Sequence, residues 1–158
     1  MQRRADPLRF IAVRLGVPEL EDAAKQPGVV EALRLTVQYH DGRHPDQVAT
    51  LIKMQSTGPI KLNVHYRRAN DKPLALEYTI DPQRFTALNA TLRKLGFDKL
   101  DDLPDIPWYG ADLWLVERAA GSFHHDIIIA PGNATGTHAE IVKLIRENLR
   151  ESVRAINP

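Results

Sequence analysis

From Leu33 onward, apolar and polar residues alternate one by one. Leu33, Leu35, Val37 and Tyr39 hold one parity, and Arg34, Thr36, Gln38 and His40 the other. Successive side chains of a strand point to opposite faces, so this rhythm predicts a strand with one dry face. The rhythm returns in Ile60, Leu62, Val64 and Tyr66 against Lys61, Asn63, His65 and Arg67, and again in Leu74, Leu76, Tyr78 and Ile80. Another strand is predicted from about Val48 to Ser56, stopped by Thr57-Gly58-Pro59. Asp41-Gly42 and Asn70-Asp71-Lys72-Pro73 supply turns.

The period then lengthens. Asp81 is a good N-cap, and Pro82 suits the first helical position, where its missing N–H costs nothing. Phe85, Leu88, Leu92 and Leu95 form the apolar stripe, and Gly96 ends the helix as a left-handed C-cap. Residues 98–111, with Asp98, Asp101, Asp102 and Asp105 beside Pro104 and Pro107, read as a loop. Leu113–Arg118 and Phe123–Ala130 read as a hairpin around Ala119-Ala120-Gly121-Ser122. Ile127-Ile128-Ile129 is apolar on both faces, which predicts a central or doubly covered strand. A last helix is predicted from Thr137, with Thr137-His138-Ala139-Glu140 as a capping box and a stripe running from Ile141 to Ile156.

The first 30 residues are weaker. Leu8, Ile11, Ala12 and Leu15 have helical spacing up to Gly16-Val17-Pro18, and Glu19 to Lys25 predicts a second short helix. The sum is an α+β fold: an antiparallel meander of about six strands, covered on one face by two amphipathic helices. Residues 1–158 form a single domain, with 1–30 as an N-terminal helical segment and 31–158 as the sheet-and-helix core. The other sheet face is expected to stand open, showing Arg34, Gln38, His40, Lys61, Asn63, His65 and Arg67.

Composition changes this picture in few places. A chain of 158 residues without cysteine has neither disulfides nor thiolate chemistry. Its 21 basic and 20 acidic residues leave no basic excess to argue for nucleic acid. Met1-Gln2-Arg3-Arg4 resembles a signal n-region, but Asp6, Arg9 and Arg14 interrupt any apolar run behind it, so a cytoplasmic, non-membrane protein is expected.

The sharpest chemical candidate is Glu117 with His124 and Asp126. An even hairpin loop sets Glu117 opposite His124, with Asp126 two residues along on the same face. Such a set can hold a divalent metal or act as an acid–base pair; the plain alternative is a cross-strand charge pair. His125 points the other way, inward beside Val116 and Ile127. His40, His44 and His65 converge only if their strands are neighbours. Pro131 to Thr137 has the setting of a phosphate loop but not its residues. The acidic loop lacks calcium-loop spacing, and Pro107-Trp108-Tyr109-Gly110 is either an aromatic recognition patch or a core plug.

Tyr78-x-Ile80 followed by Phe85-x-x-Leu88-x-x-x-Leu92-x-x-Leu95-Gly96-Phe97, an Asp-containing loop and a hairpin to Ile129 resembles a pattern in small uncharacterised bacterial domains. The resemblance covers about a third of the chain, is structural, and implies no active site. The expectation is a non-enzymatic binding or protein-interaction domain without a cofactor, with His40, His65, Arg67, Trp108 and Tyr109 as its ligand or partner surface. A protein partner or a homodimer through the open sheet face is expected. The runner-up is a small metal-binding or acid–base enzyme using Glu117, His124 and Asp126.

Overall fold

A computed structural model describes residues 5–56 and 58–158. The Met1-Gln2-Arg3-Arg4 run, and Thr57 of the predicted strand breaker, lie outside the described residues. The chain runs α1 (Asp6–Arg14), α2 (Leu20–Ala24), β1 (Val29–Gln38), β2 (Gln47–Met54), β3 (Ile60–Tyr66), β4 (Leu74–Ile80), α3 (Pro82–Lys94), β5 (Leu113–Ala120), β6 (Phe123–Ile129), α4 (Gly136–Asn148) and α5 (Arg150–Val153). The six strands form one open antiparallel sheet in the order β4-β3-β2-β1-β5-β6. The class expected from the alternation is the one observed. The first four strands meander outward, and α3 carries the chain back so that β5 pairs with the free side of β1.

Leu33, Leu35, Ala49, Leu51, Leu62, Val64, Val116 and Ile127 fill one sheet face and pack with Phe85, Leu88, Leu92, Ile141 and Ile145 of α3 and α4. Burying each of the large side chains among these contributes roughly 1.5–3 kcal/mol. Asp81 caps α3 as expected, its carboxylate accepting from the Gln83 N–H at 2.8 Å. Gly96 stands in the left-handed region at φ 73° and turns Phe97 back into the core.

The opposite face is not open across its middle. Leu8, Ile11 and Ala12 of α1, and Leu20 and Ala24 of α2, pack on it over β1, β2 and β5. Arg34 is therefore only 4% exposed and Thr36 is fully buried, whereas Lys61 and Arg67 remain exposed. The polar half of the alternation marked a face with mixed chemistry, not a wet one.

Three further boundaries differ. β1 begins at Val29, ahead of Leu33, because a register shift between Val29 and Glu31 breaks the alternation there. The last helix starts at Gly136 with Thr135 as its N-cap, and no side chain caps it, so the Thr137 capping box does not form. The same helix breaks at Leu149 (φ −130°, ψ 44°) instead of running to Ile156. The break is held from outside, since Arg84 Nε donates to the Asn148 carbonyl at 2.7 Å and Gln47 donates to the Ser152 carbonyl at 2.8 Å.

β6 is an edge strand, yet Ile127, Ile128 and Ile129 are buried on both its faces. Its outer rim is strapped by the acidic loop. Leu103 N–H donates to the Ile128 carbonyl at 2.9 Å, the Ile128 N–H donates to Asp102 at 2.8 Å, and His125 donates to the Leu100 carbonyl at 2.8 Å. Among the described residues, no helix is long and apolar enough to cross a membrane.

Candidate functional site

Two places on this fold gather chemistry. The first lies under α1 and α2. Gly121 and Ser122 alone make the β5–β6 turn, with Gly121 at φ 57°, so the hairpin loop has two residues. The count is even, as the shared face requires, but the register is tighter than a four-residue loop gives. Glu117 stands opposite Asp126, and His124 opposite Ala119. Glu117 and His124 still meet diagonally, with His124 Nε2 3.2 Å from Glu117 Oε1. One ligand atom from each of Glu117, His124 and Asp126 falls within 4.8 Å of the others.

The centre of this set belongs to Arg9 of α1. Its guanidinium pairs with Asp126, and lies 3.5 Å from Glu21 and 3.8 Å from Glu117. His124 Nδ1 also faces Glu21 at 3.4 Å. Arg34 faces Glu117 across the β1–β5 ladder, donating to Thr50 Oγ1 at 3.0 Å and to the Pro18 carbonyl at 2.8 Å. Burial pushes the Arg34 guanidinium below its usual value, against the pull of Glu117 and Glu19. For Arg9, burial acts the same way, but the Asp126 hydrogen bond and the surrounding carboxylates outweigh it and raise the pKa. Three carboxylates thus share two guanidiniums and an imidazole. The space left between Arg9, Arg34 and Glu117 is about 20 Å³, room for roughly one water and no substrate.

The second place is at the end of the sheet where β1 stops and β2 and β5 begin. Tyr39, His40, Asp46, Trp108, Tyr109 and Gly110 line an open groove of about 660 Å³, with Pro7 of α1 and Gln38 on its wall. This is within the size range of ligand sites. Trp108 is 37% exposed and Tyr109 is 98% exposed, so Tyr109 does not plug the core. Asp46 accepts the Tyr39 N–H at 2.9 Å, and burial pushes its carboxyl above the usual range. At the rim, Asp112 accepts from His40 Nδ1 at 2.8 Å and from Arg43 at 2.5 Å. Burial works against the Asp112 carboxylate, but those hydrogen bonds hold its pKa below the ordinary value. Arg43 lies over the Tyr39 ring, 5.2 Å from its centroid.

Of the five surface residues expected from sequence, His40, Trp108 and Tyr109 meet in this groove. Arg67 lines a smaller hollow next to it, with Ile11, Arg14, Leu15 and the shared Asp46. His65 lies apart, opposite Val48 and Ala75 on the sheet. His40 follows the end of β1 and His65 lies on β3, with β2 between those strands, so the two are not ladder neighbours, and His44 instead bonds the Ile156 carbonyl at 3.0 Å. His125 turns away from the Glu117 cluster, packing edge-on against Phe97 and lying opposite Arg118. The acidic loop does not gather as a metal cage: Asp98 pairs with Arg118, and Asp102 straps β6.

Sequence reasoning missed Arg9, Arg34, Tyr39 and Asp46. Arg34 had a signal, as a charge inside the run Leu33–Val37; Arg9 had one in its place beside the apolar positions of α1. No family model matches the chain, and no curated protein matches it significantly.

Proposed function

We propose that this chain is a binding domain that takes a cationic, arginine-bearing protein segment into the groove between Tyr39, Asp46 and Tyr109. The observation that carries the reading is the groove itself, with two exposed aromatic rings beside a carboxylate that has one hydrogen-bond donor in the described structure. A guanidinium stacks on aromatic faces and pairs with carboxylates, and Arg43 does both at the rim, over Tyr39 and against Asp112. Arg14 already draws the Asp46 carboxyl down against its burial, and a cation in the groove adds to that pull.

The test is fluorescence anisotropy with a labelled arginine–proline peptide and a glutamate–proline peptide of equal length. Saturable binding of the first alone is expected. Tyr109→Ala should weaken it about threefold through lost stacking, and Asp46→Asn on the order of tenfold through the lost charged hydrogen bond. Equal binding of both peptides, or indifference to both substitutions, would sink the reading.

The competing reading is a metal or acid–base centre at Glu117, His124 and Asp126, favoured by their approach within 4.8 Å. Arg9 at its centre and the absence of substrate room weigh against it. Stoichiometric metal in the purified protein by elemental analysis would reverse that judgement.

A further inference from the structure

The two edges of the sheet are treated differently. The rim of β6 is closed by Leu100, Asp102 and Leu103. β4 has no such strap: among the described residues, no hydrogen bond from outside the β3–β4 ladder reaches Leu74–Ile80. Alternate residues of an antiparallel edge present N–H and C=O groups outward, ready for another strand. Here the edge is also apolar. Leu74 and Leu76, 37% and 38% exposed, extend the dry face one strand beyond the cover of α3.

We infer that β4 pairs with β4 of a second copy of this chain, antiparallel across a two-fold axis at Leu76, joining two sheets into one. The strand is self-complementary in that register. Leu76 meets its own counterpart, and Leu74 meets Tyr78, all on the dry face. On the other face, Ala75 meets Glu77. A shift that centres the pair on Glu77 sets two carboxylates opposite each other, which is unfavourable. A shift the other way, centred on Ala75, leaves fewer strand residues paired. The surface is the strand edge and not the sheet face, whose middle α1 and α2 already cover.

The test uses the full chain. Light scattering across a concentration series is expected to give a dimer, and Leu76→Lys, which sets two ammonium groups together, a monomer with unchanged circular dichroism. Because the natural chain has no cysteine, single-cysteine variants report register cleanly. Leu76→Cys should cross-link on oxidation, since directly opposed residues lie within disulfide reach. Thr79→Cys should not, being about 20 Å from its counterpart in this register. A wild-type monomer at high concentration, a persisting Leu76→Lys dimer, or equal cross-linking of the two cysteine variants would each overturn the inference.

Discussion

The Arg9 guanidinium on α1 pairs with the Asp126 carboxylate on β6, 117 residues further along the chain. This pair, with Glu117, Glu21 and His124 around it, fastens the N-terminal helices to the sheet. Removing one partner of a mostly buried pair leaves the other uncompensated. Arg9→Ala should therefore cost about 3 kcal/mol in urea unfolding, with α1 becoming the first segment to exchange its amides. A loss well under 1 kcal/mol would show that the clamp does not hold α1 in place.

The same substitution should change what the cluster can bind. With the Arg9 guanidinium gone, Glu117, His124 and Asp126 keep a ligand geometry, with Arg34 opposite Glu117 as the neighbouring cation. Zinc is expected to raise the melting temperature of Arg9→Ala and to leave the wild type unmoved. An equal rise in both proteins would mean that Arg9 does not compete for the site.

The hairpin turn sets the register of that cluster, and Gly121 sets the turn. A Cβ at Gly121 would meet nothing within 4 Å, so the cost of Gly121→Ala is that of its left-handed backbone, about 1 kcal/mol. Gly121→Asn should cost at least as much, because only the first turn residue has positive φ, the type II′ pattern that takes glycine there. Thermal unfolding of the two variants checks this, and an asparagine variant as stable as the wild type would contradict the backbone argument.

His65 gives the fold a pH dependence of known sign. Burial, helped by the nearby Arg34 charge, pushes the imidazole below its usual pKa, and its Nδ1 has no hydrogen-bond partner among the described residues. The folded state therefore resists a proton that the unfolded chain accepts. Stability is full above about pH 6.5 and falls as the pH drops through the folded pKa. His65→Gln should flatten the stability profile over that window relative to the wild type. An unchanged slope would assign the pH dependence to other groups.

Much of the fold was legible because the signals were local. Alternation exposed β1, β3 and β4, the Thr57-Gly58-Pro59 breaker marked the end of β2, and the Asp81-Pro82 cap with Gly96 bracketed α3. The errors lie where distant parts decide. The break at Leu149 depends on Arg84 and Gln47, which are remote in sequence. Parity says which residues share a side and not what lands on it, so the alternation carries no sign of the α1 and α2 cover on the polar face. The Glu117, His124 and Asp126 convergence was legible from hairpin parity, but its occupant was not, since Arg9 arrives from the other end of the chain. Likewise His40, Trp108 and Tyr109 were visible singly, while Tyr39 and Asp46 joined them only through the sheet order.

Under the proposed function, the arginine-bearing segment binds at the aromatic groove and not at the buried ion cluster. Amide and indole shifts in a nuclear magnetic resonance titration with the arginine–proline peptide locate it. Saturable shifts are expected at Tyr39, His40, Asp46, Trp108, Tyr109 and Gly110, with Glu117, His124 and Asp126 undisturbed. Shifts centred on Glu117, His124 and Asp126, or none at the groove, would contradict the proposed function.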